Sequence, residues 1–419
     1  MHSDEIQKPE PRVDIARPSP GGGAGRPIRV AVCYRACQFW RLPVFRRLSR
    51  VQGIELTVLH SRGVKGTKVV NAPDDGTVNR VAMWTLSGAT GLTGRNVRWL
   101  VCPGVLMQLA LHRPDVILLE GASNLPNCIL AIAYAKLANV PWAWWSLGEL
   151  KGRRYSFLGR MYRRFVAAIE RRADAVIAYS SQGADYFRGI GVESSRIWTA
   201  VNVVDTAAIL AAKPDFPRMR RATRRELGLD EALVVLFCGA LTGPKRVDRL
   251  VPVMERVRRE VPFARMVVVG DGPARAALEA AVKDAGLAAC FAFCGDRPGD
   301  AGRFMCAADV LILPGLGGLV MSEAMAYGLP VVCTTADGTE EDLIGSSERG
   351  YLVRDAGSED EIVSGMGEAV ARLLLDDPLR MKAGAAAQRA IEDRFNIDQY
   401  VAQLTRCVAA MSRSRAGCT

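Results

Sequence analysis

The chain has 419 residues, about twice the usual domain length, so two domains of roughly 200 residues are expected, each with an ample core. Its 49% hydrophobic and 24% charged residues exclude a largely disordered, collagen-like or coiled-coil chain. The net charge of +11 is unevenly placed: residues 1–200 carry 28 basic against 14 acidic side chains, and residues 201–419 carry 27 against 30. That asymmetry reads either as solvated helix faces or as a surface for an acidic partner of the first half, an anionic membrane or a phosphate-bearing molecule. No nucleic-acid-binding motif accompanies the charge, so nucleic acid is not an expected partner.

Residues 1–27 read as a disordered Pro/Gly-rich tail, with Asp4, Glu5 and Glu10 where a signal peptide would need a basic start and an apolar run. From there, short β-branched runs alternate with helical patterns, the signature of parallel βαβ units. Residues 29–34, 115–120, 141–146, 174–180 and 196–200 are predicted strands of a first Rossmann-like domain over 28–205. Its densest basic stretch holds Lys151, Arg153, Arg154, Arg160, Arg163, Arg164, Arg171 and Arg172, and Arg41, Arg46, Arg47 and Arg50 form a second group. The longest apolar stretch, residues 128–145, is broken by Lys136, Asn139 and Pro141, so no membrane-spanning helix is expected. Residues 206–230, with Pro214, Pro217 and an Arg-rich run lacking a period, read as an interdomain linker. Residues 233–238, 265–269, 290–294, 309–313 and 330–334 are predicted strands of a second domain over 231–395. A helix over 396–419, placed to pack back on the first domain, completes the chain. Two doubly wound α/β domains facing each other place a ligand cleft at the carboxyl ends of both sheets.

Eleven cysteines invite a metal or disulfide reading, yet the close pairs Cys33/Cys37 and Cys290/Cys294 have neither a second pair nor a histidine near them. Free thiols acting as small hydrophobes in a reducing compartment, the cytosol, are expected instead. His2, His60 and His112 read as structural, and no Ser/His/Asp arrangement is expected.

The richest stretch runs from Asp309 to Pro330. A buried strand leads into the turn Pro314-Gly-Leu-Gly-Gly-Leu319, and a helix starting near Leu319 stops at Gly328. Gly315, Gly317 and Gly318 permit close backbone approach, and the first free N–H groups of that helix suit a phosphate. Glu323, one turn in, could accept hydrogen bonds from a sugar hydroxyl; the alternative is a tight strand-to-helix turn with a solvent-facing Glu. Upstream, Lys245 and Arg246 follow a strand and the loop after Gly239, so both cations are expected over the carboxyl edge of the same sheet. Gly270-Asp-Gly-Pro273 lacks the third glycine of a dinucleotide fingerprint and reads as a turn. No two aspartates are separated by one residue, so any diphosphate would have to be neutralised by cations and helix N-termini, and no metal or cofactor is expected.

Taken together, these segments resemble the retaining nucleotide-sugar glycosyltransferases of the GT-B fold, the large family that includes sucrose synthases and bacterial mannosyltransferases. The resemblance spans about residues 29–408. It rests on Trp40-Arg-Leu-Pro-Val-Phe45, Ile54-Glu-Leu-Thr-Val-Leu-His60, Ala178-Tyr-Ser180, Asn202-Val-Val-Asp-Thr206, Gly239 with Lys245, Gly270-Asp-Gly-Pro273 and Ser322-Glu-Ala-Met-Ala-Tyr-Gly-Leu-Pro-Val-Val332. It implies that the second domain binds the nucleotide sugar and the first the acceptor. Lys245, helped by Arg246, would hold the diphosphate, Glu323 the ribose, and the amides of Gly318 and Leu319 a phosphate oxygen. Glu120, Glu149 and Arg41 are the acceptor-side candidates. The family commonly has Glu where Gly315 stands, Arg where Ala240 stands, and a His after the strand over 141–146, where Ser146-Leu-Gly-Glu149 offers none. The implied activity is sugar transfer, with retention, to a lipid-linked glycan or other anionic acceptor in envelope polysaccharide or glycolipid synthesis. The implied place is the cytoplasm, peripheral at the inner face of the membrane. The alternative is a catalytically silent GT-B protein that binds a nucleotide sugar or a partner.

Overall fold

The computed structural model describes residues 26–63, 69–90, 97–149, 155–345 and 348–416. Most of the expected tail, together with Lys151, Arg153 and Arg154, lies outside the described residues. The first unit runs β1 (Ile28–Tyr34), α1 (Leu42–Ser49), β2 (Ile54–Ser61), β3 (Asn79–Met83), β4 (Leu86–Thr90), β5 (Val97–Val101), α2 (Val105–His112), β6 (Val116–Glu120), α3 (Leu125–Leu137), β7 (Trp142–Ser146), α4 (Phe157–Glu170), β8 (Ala175–Ala178), α5 (Ser181–Gly189) and β9 (Ile197–Thr199). After α6 (Ala207–Ala211) and α7 (Phe216–Glu226), the second unit runs β10 (Leu233–Cys238), α8 (Leu250–Glu260), β11 (Ala264–Val269), α9 (Arg275–Asp284), β12 (Phe291–Gly295), α10 (Ala301–Ala307), β13 (Val310–Leu313), α11 (Val320–Ala326), β14 (Val331–Thr334), α12 (Thr339–Ile344), β15 (Gly350–Val353), α13 (Glu359–Leu375) and α14 (Asp377–Asp393). The final helix is α15 (Ile397–Ala416).

Seven strands form one parallel sheet in the order β3-β2-β1-β6-β7-β8-β9, and six form another in the order β12-β11-β10-β13-β14-β15, while β4 and β5 pair as a separate antiparallel hairpin. Both faces of the central strands are covered: β6, β8, β13 and β14 are buried along their whole length. In each sheet the order reverses once, between β1 and β6 and between β10 and β13. Crossover helices lie on opposite faces on either side of such a reversal, which opens a crevice outside the carboxyl ends of those two strands.

One face of the first sheet packs on α2, α3, α4 and α5 through Leu109, Ala131, Val166 and Phe187. The other packs on α1 and α15, and its apolar cluster continues into the second unit through Leu236, Leu311 and Met325. The units also meet where β8 and β14 end: the Ser181 backbone N–H donates to Asp342 Oδ2 at 2.8 Å. A Cβ on Gly338, whose φ is +89°, would stand 2.6 Å from the Gln182 Cβ. The carboxyl edges of the two sheets therefore face each other.

The stretch expected to be an irregular linker is largely helical. The Arg-rich run of α7 has a purpose that composition hides, since Arg220 and Arg224, one turn apart, both reach the buried carboxylate of Asp309. Phe216 packs on Tyr327 with ring centres 4.8 Å apart and the ring planes tilted by 39°. The ten described cysteines are all free and nine are buried.

Candidate active site

The reversal point of the second sheet gathers the loops after β10 and β13. The loop after β10 first leaves the sheet pressed against its neighbour: a Cβ at Gly270 would stand 2.0 Å from the Gly239 carbonyl oxygen, and one at Gly272 2.4 Å from that of Leu241. Those glycines are therefore required for two loops to cross, and Gly270-Asp-Gly-Pro273 is a packing turn. The chain then makes a tight turn over Gly243–Lys245 and reaches α8 through Arg246, held left-handed at φ +49°.

That turn aims Lys245 across the switch point. Its Nζ donates to the Gly317 carbonyl at 2.7 Å, and a Cβ at Gly239 or Gly318 would come 3.8 Å from it. Lys245, Gly239, Gly317 and Gly318 thus form one group. Gly318 has φ +72°, which turns the chain into α11, and Leu319 stands at the helix N-cap. Gly315 meets the backbone of the β10 loop directly: a Cβ there would stand 2.6 Å from the Pro244 carbonyl oxygen, and Leu316 N–H donates to that oxygen at 2.9 Å. No side chain fits at 315 without a shift of the neighbouring loop, so the position at which the family resemblance led us to expect Glu is occupied here by backbone alone.

Glu323 lies on α11 one turn beyond the glycines, half-buried and with no hydrogen-bond partner for its carboxylate among the described residues. Burial pushes its pKa up. It lines a cavity of about 300 Å³ with Tyr327, Ile209, Met219, Asp300 and Arg303. An unpaired carboxylate held in low dielectric is costly to keep without a ligand that donates to it.

Arg246 does not join this group. Its guanidinium pairs with Asp248 at 3.0 Å and Glu359 at 2.7 Å, so its charge is already matched and directed along the outside of the loop. The residue that reasoning from the sequence passed over is Arg249, 1% exposed, which donates to the Pro314 carbonyl at 2.8 Å and pairs with Asp355 and Glu359. It fixes the end of β13 where the glycine turn begins. Its only trace in the sequence is a third cation one turn after Arg246.

On the first sheet the corresponding crevice lies beside β1 and β6. Glu120 ends β6 and is 8% exposed; it accepts from the backbone N–H of Arg35 and from Ser123 Oγ at 3.1 Å, and burial raises its pKa. Glu149 follows β7, 3.6 Å from Arg163. Arg41 is not an open acceptor contact but a buried clasp. It is 4% exposed, its guanidinium lies 5.1–5.8 Å from the ring centres of Tyr34, Trp145, Tyr179 and Tyr400, and it donates to Tyr400 Oη at 3.0 Å and to Asn202 Oδ1 at 3.2 Å. Trp145 Nε1 donates to the same Tyr400 hydroxyl at 3.0 Å. Through this clasp α15 is held on the first unit.

Two doubly wound sheets with facing carboxyl edges, a lysine at the switch point and a glycine turn leading to a half-buried glutamate define a GT-B glycosyltransferase. The chain belongs to that family: residues 11–200 match the description "Glycosyl transferase 4-like domain" and residues 232–376 match "Glycosyl transferases group 1". A Mycobacterium tuberculosis GDP-mannose-dependent alpha-(1-6)-phosphatidylinositol monomannoside mannosyltransferase is 30% identical over 203 residues, 46% of this chain and 51% of that protein. The chain thus spans about half the length of that relative. A 2-deoxystreptamine N-acetyl-D-glucosaminyltransferase of Streptomyces fradiae is 29% identical over 350 residues, 79% of this chain and 80% of that one. Among solved structures, Anabaena HepE in complex with UDP superposes with a TM-score of 0.68 at 17% identity, covering 92% of this chain and all of that one. That likeness is one of fold.

Proposed function

We propose that this chain transfers a sugar, with retention at the anomeric carbon, from a nucleotide sugar on the second unit to a lipid-linked or other anionic acceptor over the first. The setting is envelope polysaccharide or glycolipid assembly at the cytoplasmic, anionic face of a membrane. The observation that carries this is the arrangement of Lys245, at the switch point, with Glu323 one helical turn beyond Gly317 and Gly318, its carboxylate without a hydrogen-bond partner among the described residues. In this reading the nucleoside lies in the cavity beside Glu323, the diphosphate at Lys245 and the sugar toward the first sheet. Arg249 acts by fixing the glycine turn, and Arg246 at a distance. The names of relatives support the reading: one acts on a phosphatidylinositol mannoside, which is lipid-linked and anionic, and HepE has been solved with UDP and with UDP-glucose.

In the transfer step the bond from the anomeric carbon to the diphosphate oxygen breaks and a bond to the acceptor oxygen forms on the same face. The acceptor proton passes to the departing diphosphate. The protein's part is to stabilise charge growing on the leaving group, which calls for fixed cations and amides more than for a base. No cofactor and no metal is assigned to this step. Activity should therefore survive EDTA; restoration of a lost activity by magnesium or manganese would contradict this assignment.

Glu323→Ala separates binding from folding. A hydrogen bond to a charged group contributes about 1.5–3 kcal/mol, so donor affinity should fall roughly tenfold to a hundredfold. The thermal midpoint should hold or rise, because an unpaired buried carboxylate is removed. Calorimetric titration with nucleotide sugars reads the first and a melting curve the second; unchanged affinity would remove Glu323 from the donor site. A second reading, binding without transfer, draws support from Gly315, where no carboxylate can reach the donor sugar. Incubation with nucleotide sugars and lipid-phosphate acceptors, followed by release of nucleoside diphosphate and the anomeric configuration of the product, decides between the two.

A further inference from the structure

Large apolar side chains left in water are spread very unevenly over this molecule. Among the described residues eighteen are exposed, and fifteen of these belong to the first unit, the one that also carries the excess positive charge. The concentration is greatest on α4. Phe157, Leu158, Met161, Tyr162 and Phe165 are between 45% and 67% exposed, whereas Val166 and Glu170 are fully buried and Arg163 turns inward to Tyr186 and Glu170. At about 100° per residue, the five apolar side chains occupy one arc of roughly 140°, opposite the packed face. Arg160 and Arg164 stand along one edge of that arc, exposed, and Arg171 follows on the same side. No ion pair is made by Arg160, Arg164 or Arg171 among the described residues. A helix anchored to its own sheet by its third face therefore presents an apolar band with a row of unmatched arginines beside it.

The band is not isolated. Helices α2 and α3 cover the same face of the sheet as α4, and their outer sides expose Leu106, Met107 and Leu111, and Ile129 and Leu137. The result is a broad surface with exposed apolar side chains on three helices, on the unit whose charge is positive. A patch this apolar is rare on a protein without a partner, and the arginines beside it favour an anionic one. Interfacial amphipathic helices carry the same combination, with Phe and Leu entering the acyl boundary while arginines meet anionic headgroups.

We infer that the α4 face, extended by α2 and α3, seats the first unit on an anionic lipid bilayer by shallow insertion of its apolar side chains. This deepens the proposed acceptor reading and rests on it only for the acceptor's presence in that bilayer. Arg163, which the sequence groups with the surface cations, takes no part, since it is committed to Tyr186, Glu170 and Glu149.

The test is co-sedimentation of the full chain with vesicles of phosphatidylcholine alone and of phosphatidylcholine with phosphatidylglycerol. The wild type should bind the anionic vesicles at least tenfold more tightly, and added salt should weaken that binding without abolishing it. The combined variant Phe157→Ser, Met161→Ser, Phe165→Ser should lose at least tenfold in vesicle affinity while its melting curve and its affinity for nucleoside diphosphate stay as in the wild type. Arg160→Gln with Arg164→Gln should reduce the preference for phosphatidylglycerol. The proposal is overturned if the serine variant binds anionic vesicles like the wild type. It is equally overturned if the wild type binds neither vesicle, including the case of a dimer that the serine variant splits. Vesicle binding together with failure to bind any nucleotide sugar would leave this face as a docking surface and sink the transferase reading alone.

Discussion

Lys245→Ala lowers turnover by about a hundredfold or more, the scale of losing one preorganised group at a developing anion. The lysine is held by the Gly317 carbonyl at 2.7 Å, and the glycines around it leave its Nζ beside the turn into α11. On the proposed reading its charge meets the diphosphate of the bound donor and meets it more strongly when the sugar has begun to leave, so the loss should fall on donor affinity and still more on kcat. The same substitution removes the part-buried charge-assisted hydrogen bond to Gly317, worth about 1.5–3 kcal/mol, and the protein should remain folded. Arg246→Ala should cost far less, because that guanidinium is already matched by Asp248 and Glu359. Wild-type kinetics in a folded Lys245→Ala protein would move the donor site elsewhere.

Asp309→Ala destabilises the second unit by about 3–5 kcal/mol, the cost of leaving buried charge without its partner. Asp309 opens β13 and its side chain is 3% exposed; it accepts from Arg220 at 2.5 Å, from Arg224 at 2.6 Å and from the Val234 backbone N–H at 2.7 Å. Removing it leaves the charge of Arg224, whose side chain is only 11% exposed, with backbone carbonyls as its only hydrogen-bond partners among the described residues, and strands the Val234 N–H at the first step of β10. At roughly 2–4 °C per kcal/mol for a domain of this size, the midpoint should drop by about 6–20 °C. Asp309→Asn, which keeps an acceptor for Val234, should fall between the two. A drop of about a degree would mean that the arginines of α7 find water instead, and that α7 is not fastened to the sheet by this carboxylate.

What the sequence made legible follows from burial on both faces. Strands such as residues 116–120 and 310–313 are continuous apolar runs with turn residues at each end, a pattern that a βαβ crossover demands. The edge strands β3 and β15 escaped notice because Asn79, Arg80 and Gly350 break the apolar run, and α7 because its arginines look like solvated linker until Asp309 is placed beneath them. Lys245, Gly317, Gly318 and Glu323 were legible because a strand, a glycine turn and a helix carry a local signature. Arg41 was misplaced for the converse reason. Its partner Tyr400 lies 359 positions away, and nothing local distinguishes an arginine inside an aromatic cage from one facing water. The apolar face of α4 was hidden in a run whose composition reads as basic.

The central claim is that the switch point of the second sheet holds the diphosphate of a nucleotide sugar. Isothermal titration of the wild-type and Lys245→Ala proteins with nucleoside diphosphates and their sugars, with and without EDTA, tests it most directly. The account predicts saturable binding by the wild type, unchanged by EDTA and weakened at least tenfold in Lys245→Ala. Binding that is equal in the two proteins, or that appears only when a divalent cation is added, would contradict it.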